Sequence, residues 1–171
     1  MFKFKMKTLK ILLTLLILTT GIAKAQITKA ELQISGLTCA LCAKATEKSL
    51  NALPFVEEIK TDLIHNMYIL TFKNEVPVNF DLINKKVKDA GFFVNNLKAT
   101  FNFDAVKVAD NSFSYGGDIY QVVNGNDKRY SGTFEFTIVD KGFAPKSVSK
   151  KYLSQVVEIP PKSGRIYHVA I

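Results

Sequence analysis

Apolar and polar positions alternate with period two, then follow a helical period, then return to period two, over residues 28–97. TKAELQISG places apolar side chains at 30, 32 and 34, which predicts a strand ended by Gly36. From Cys42 to Leu53 the residues Ala43, Thr46, Leu50 and Leu53 share one helical face. The Thr38 hydroxyl is a candidate cap for this helix and Pro54 a stop. FVEEIKTDL and MYILTF read as a hairpin turned at Ile64-His65-Asn66. In NFDLINKKVKDAG, Phe80, Ile83, Val87 and Ala90 line a second helix, started by Asn79 or Asp81 and closed by Gly91. FFVNNL completes the set as a strand. The order is βαββαβ, a split βαβ arrangement with helices on one face of the sheet.

Residues 98–171 show no helical face. ATFNFDAVKV alternates, FSYGGDIYQVV and KRYSGTFEFTIVD flank the turn signal NGND, and YLSQVVEIP and RIYHVAI flank PKSG. About five strands in a small all-β barrel or sandwich are expected, with Asn95-Asn96-Leu97-Lys98 as the joint between the two parts. The predicted class is α+β: a βαββαβ domain at 26–97 followed by an all-β domain at 98–171. One pattern links them. Tyr68, Leu70 and Phe72 should face the helices, leaving Met67 and Ile69 on the opposite side of the sheet. An open antiparallel face is normally polar, so the β-rich part is expected to cover it.

The first 25 residues differ from the rest. MFKFKMKTLK is basic, ILLTLLIL is a short apolar run, and Ala23-Lys24-Ala25 fits a small-x-small cleavage site before Gln26. This is the form of a secretory signal peptide, and the run is shorter than a membrane-spanning helix requires. The expectation is an exported protein, periplasmic or secreted, with no stable membrane anchor after cleavage. Cleavage removes five lysines and no acid, which lowers the net charge from +8 to +3. With no basic stripe interleaved with aromatics, nucleic-acid binding is not supported.

The chain holds two cysteines, Cys39 and Cys42, in GLTCALC. Two thiolates suit a soft ion. Cu(I) and Hg(II) accept two sulfurs nearly linearly, whereas Zn(II) prefers to be four-coordinate, so a closed zinc site within one chain is not expected. A C-x-x-C at the start of a helix favours thiolate through the helix dipole and free backbone N–H groups. Export would also permit a plain disulfide. A thiol–disulfide oxidoreductase remains an alternative, although the aromatic before the first cysteine and the Gly-Pro between the two are absent. His65 and His168 have no partner at metal-ligand spacing and read as a turn residue and a strand residue. Met67 alone survives leader removal, which excludes a methionine-rich copper site.

GLTCALC, AKATEKSLNAL, PFVEEIKTDL, MYILTF and VKDAGFFV in this order resemble the heavy-metal-associated domain, the family of copper chaperones, copper-ATPase amino-terminal domains and an exported mercury-binding protein. The resemblance covers about residues 28–97 and implies a ferredoxin-like fold. It implies Cys39 and Cys42 as metal ligands, Gly36 and Thr38 as residues that shape the loop, and Phe92 as an aromatic packed near them. Leu37 replaces the family's usual Met, and Thr46 stands where an apolar residue is usual. Lys44 and Lys48 would offset the charge of an anionic bis-thiolate site. The implied function is to bind one Cu(I), with Hg(II) or Zn(II) possible, and pass it to a metal-transporting ATPase or another thiolate carrier, without enzymatic chemistry. The 98–171 part resembles no family. Its Tyr- and Asn-rich NSFSYGGDIYQVVNGNDKRY leaves open a separate binding module.

Overall fold

A computed structural model describes residues 25–74, 76–103, 111–125, 130–154, 156 and 164–171. The expected leader lies outside these residues except for Ala25, which opens the first strand. The first half runs β1 (Ala25–Ser35), α1 (Ala40–Asn51), β2 (Val56–Asp62), β3 (Met67–Phe72), α2 (Phe80–Asp89) and β4 (Phe93–Phe103). The strands lie in the order β2-β3-β1-β4, all antiparallel. The result is the ferredoxin-like arrangement expected from the periodicity. Its inner face is Ala30, Leu32, Ile34, Tyr68, Leu70 and Leu97, all essentially inaccessible to water. Onto them pack Ala43, Thr46 and Leu50 of α1 and Phe80, Ile83 and Val87 of α2. The α2 cap is Asn79, whose side chain accepts the Leu82 N–H at 3.0 Å. Gly91 follows the helix at φ +87°, a conformation that glycine adopts without steric cost.

The second half adds β5 (Ser112–Tyr115), β6 (Asp118–Val122), β7 (Gly132–Ile138), α3 (Lys146–Leu153) and β8 (Ile166–Ala170). These strands extend the same sheet, in the order β2-β3-β1-β4-β7-β8-β6-β5. FFVNNL and ATFNF form one strand, β4, so the joint expected at residues 97 and 98 falls in mid-strand. The first part of β4 pairs with the metal-loop end of β1 and its last part with both β1 and β7. The sheet curls until β5 returns close to β1, in the manner of an open barrel.

Three expectations for this half are corrected. FSYGGDIYQVV is two strands, not one: Gly116 and Gly117, at φ +61° and +93°, make a tight hairpin between β5 and β6. The turn signal NGND does not join neighbours, because β6 lies beside β5 and β8 while β7 lies beside β4 and β8. PKSG lies outside the described residues except for Gly164; of the strand expected before it, Tyr152 and Leu153 end the helix α3, and β8 lies between β7 and β6, parallel to β6.

A fourth correction concerns Met67 and Ile69. They stand half-exposed, and the β-rich half continues the edge of the sheet at β4 instead of covering their face. Their neighbours across the register are Gln33, Glu31, Lys60 and Asp62, and ion pairs such as Lys29–Glu31 at 2.9 Å keep that face wet.

Aromatic rings fill the curled part of the sheet. Phe101 lies at 5.1–6.3 Å, centroid to centroid, from Phe103, Phe113, Tyr115, Tyr120 and Phe136. Phe80 of α2 meets Tyr120 and Tyr167 edge-on at 6.4 and 5.7 Å, so the first helical layer shares the second half's core. The Tyr120 hydroxyl is buried without a hydrogen-bond partner, and its burial drives the pKa well above the usual phenol range. Tyr120→Phe is therefore expected to leave the urea unfolding midpoint unchanged or raise it, since it removes an unpaired buried hydroxyl. A fall of the midpoint equivalent to more than ~1 kcal/mol would instead reveal a bond made by that hydroxyl.

Candidate metal site

The site is built where β1 ends. Gly36 turns the chain at φ +92°, and a Cβ there would stand 3.6 Å from the Phe92 ring, an ordinary contact. Backbone conformation is therefore the constraint. Gly36→Ala is expected to cost ~1–2 kcal/mol through the left-handed conformation alone, read as a lower urea midpoint. An unchanged midpoint would mean that the loop relaxes freely. Leu37 is buried, filling the place of the family's Met, while Thr38 is exposed.

The cap of α1 is Cys39, one residue beyond the expected Thr38. Cys39 has extended backbone, and its Sγ accepts the Cys42 N–H at 3.1 Å. Its carbonyl accepts the Ala43 N–H. The two Cα atoms are 5.3 Å apart and the sulfurs are joined as a disulfide. Cys39 is exposed, whereas Cys42 is half-buried against the core. The first turn of α1 holds no acid, so nothing there opposes negative charge on sulfur, and the helix N-terminus favours it.

Two side chains steady this turn. Thr46 is buried, yet its hydroxyl donates to the Cys42 carbonyl at 3.0 Å, which explains a polar residue on an apolar face. Tyr68 on β3 donates its hydroxyl to the Ala43 carbonyl at 3.0 Å. Burial, and then the Glu47 carboxylate, raise the Tyr68 pKa, which keeps it a protonated donor. Sequence reasoning did not assign Tyr68 this role. Alternation placed it inward, but nothing in the pattern shows where its hydroxyl ends.

The remaining candidates do not join the pair. His65 is 68 % exposed in the β2–β3 turn and bonds Asp62 through Nδ1 at 2.7 Å, and this ring, with backbone donors, lowers the Asp62 pKa. His168 sits in β8, where Asp140 takes its Nδ1 at 2.7 Å and its N–H at 3.0 Å. Among the described residues, no group of three or more His, Cys, Asp or Glu side chains is placed to hold a metal ion. Lys44 and Lys48 are exposed on α1. No described helix is long and apolar enough to cross a membrane.

Residues 31–93 match the family model of the heavy-metal-associated domain. A probable copper-transporting ATPase of Arabidopsis thaliana is 36% identical over 67 residues, which is 39% of this chain and 6% of the relative. A probable copper-exporting P-type ATPase of Archaeoglobus fulgidus is 31% identical over 62 residues, 36% of this chain and 8% of the relative. The chain thus spans less than a tenth of the length of these curated relatives. The solution structure of the yeast copper transporter domain Ccc2a, in its apo and Cu(I)-loaded states, is 31% identical, covering 38% of this chain and 88% of that one, with a TM-score of 0.35. The family match ends at Phe93, before β4 begins to pair with β7 at Lys98, and it contains the turn at Gly36 and the cysteine pair: residues 31–93 of this chain are a heavy-metal-associated domain.

Proposed function

We propose that the chain is an exported carrier of a single soft metal ion, Cu(I) before Hg(II), held as cargo between Cys39 and Cys42. The observation that carries this reading is one exposed sulfur at the helix cap beside one half-buried sulfur in the first turn, within a heavy-metal-associated domain. Two thiolates leave Cu(I) under-coordinated. An incoming thiolate from a partner can therefore add to the metal at the exposed side before either cysteine lets go. The ion then moves along its affinity gradient, and no covalent bond of a substrate is made or broken. The similar proteins named as copper-transporting ATPases support Cu(I) as cargo and a metal-transporting ATPase or another thiolate carrier as partner. Zn(II) fits less well, because two cysteines supply half of a tetrahedral set.

The disulfide form cannot take the ion. Loading requires reduction by two electrons and two protons from a thiol reductant, giving two thiols that lose their protons on binding metal. The same asymmetric pair favours a second reading, a thiol–disulfide exchanger, in which Cys39 would be the attacked sulfur. The test is a Cu(I) titration of the reduced chain against a chromophoric competitor, with Zn(II) and Hg(II) in parallel. One Cu(I) per chain, tightly held, supports the carrier. No competition for Cu(I) or Hg(II) moves the weight to the redox reading, and the reduction potential then decides.

A further inference from the structure

Cys39 and Cys42 belong to one turn, but the fold holds them differently. Cys42 is half-buried against the core, whereas Cys39 is exposed and bonds within the turn, to the N–H groups of Cys42 and Ala43. The carboxyl side of Cys42 carries two further bonds. Its own carbonyl accepts the Thr46 hydroxyl at 3.0 Å, and the next carbonyl, that of Ala43, accepts the Tyr68 hydroxyl at 3.0 Å. The backbone does not need them. As members of α1, both carbonyls already face the N–H groups four residues on. Packing does not need them either. Thr46 and Tyr68 are 0% exposed, and Val and Phe would fill the same places with no buried hydroxyl to satisfy. The donors come from two directions. Thr46 lies on α1 itself. Tyr68 lies on β3, between Leu32 of β1 and Thr61 of β2, and the Thr61 hydroxyl in turn donates to the Glu47 carboxylate of α1 at 2.7 Å. The start of α1 is thus tied to the sheet beside the half-buried sulfur.

We infer that Thr46 and Tyr68 are positioning residues for the cysteine pair. They hold Cys42 in place whether the pair is a disulfide, a dithiol or loaded with metal, and they leave the adjustment between these forms to Cys39 and the loop before it. This rests on the reading of Cys39 and Cys42 as the working pair of the site. Closing a disulfide and closing two thiolates around one ion both require two sulfurs to meet. A sulfur held in place raises the effective concentration that its partner sees. The two closures should therefore weaken together when the hydroxyls are removed. A role in folding alone would lower stability and leave both closures as they are.

The test compares the chain as left by leader cleavage, from Gln26 onward, with its Thr46→Val/Tyr68→Phe variant. Three quantities are read. One is the urea midpoint of the reduced protein, and another is Cu(I) affinity by competition with a chromophoric chelator. The third is the equilibrium of the Cys39–Cys42 disulfide with glutathione, in which two glutathione thiols give two electrons and two protons to the pair and leave as glutathione disulfide. The double variant is expected to lose Cu(I) affinity about tenfold, the low end for an outer hydrogen bond to a metal site. Its glutathione equilibrium should shift by a similar factor toward the dithiol, with a urea midpoint close to the parent's. Thr46→Ser keeps the donor and should match the parent in both closures. Tyr68→Phe alone should move both by less in the same direction, and it serves if the double variant folds poorly. Unmoved affinity and glutathione equilibrium overturn the inference, as does a fall confined to one of the two. A fall in both that Thr46→Ser shares, or that comes only with a collapsed urea midpoint, marks a folding role and overturns it too. If the parent binds no Cu(I), the carrier reading falls by itself and the glutathione equilibrium decides the positioning role: the expected shift keeps it, and no shift overturns it.

Discussion

Serine at either cysteine is expected to weaken Cu(I) binding by more than about a hundredfold, beyond the loss usual for a residue that merely supports a ligand. A hydroxyl is hard and protonated where a thiolate is soft and charged. The two variants should differ in stability. Serine is a preferred helix cap, so Cys39→Ser keeps the bond now made to the Cys42 N–H and should leave the reduced chain's unfolding midpoint unchanged. Cys42 is half-buried against the core, and a hydroxyl there should cost about 1 kcal/mol. Competition titrations and urea curves on the same samples read both effects. Retained affinity in both variants would remove these residues from the site. Retained affinity in one alone would show that a single thiolate suffices and would undo the exchange scheme.

Phe101→Ala is expected to be the most damaging single substitution in the sheet. Phe101 is fully buried and central to the aromatic cluster, and such truncations cost ~3–5 kcal/mol. Domains hold ~5–15 kcal/mol in all, so much of the stability goes with one ring. Phe101 lies outside the matched residues 31–93, yet it faces Ile27 across β1. The loss should therefore be felt in the metal-binding half. A chain ending at residue 98 tests the same point more bluntly. It uncovers Ile27 and the side of Phe80 that rests on Tyr120 and Tyr167. It should unfold at lower urea than the full chain and be less soluble. Equal stability and solubility would mean that the two halves contribute independently.

The first half could be read from its pattern because its signals are local. Period two and period 3.6 alternate, Pro54 and Gly91 punctuate them, and Asn79 stands where a cap is needed. The second half could not, because its strand neighbours are distant in sequence. β8 pairs with β6 across more than forty residues. The α3 helix was hidden for another reason. It is eight residues long and fully buries Ser149 alone, and its half-buried Val148, Tyr152 and Leu153 are too few to mark a face. Asn95 and Asn96 looked like a joint because they are polar, but Asn95 donates to the Gln33 side chain at 3.1 Å beside a register shift, and the strand runs on. At the site, the spacing of the cysteines was legible. What spacing cannot tell is which residue caps α1. Thr38 has the better side chain, but backbone geometry gave the place to Cys39.

β8 has a consequence for how the molecule is made. It is the last of the described strands in chain order, and it lies between β7 and β6. Until residues 166–170 emerge, the β5–β6 hairpin has no strand neighbour connecting it to the rest of the sheet. A nascent chain stalled before Ile166 therefore carries unpaired strand edges on both sides of the gap, the kind of surface that chaperones hold and aggregates recruit. Completion of the sheet, and with it enclosure of the aromatic core beside α2, waits for residues 166–170. Quality control of this chain would then read residues 166–170 first.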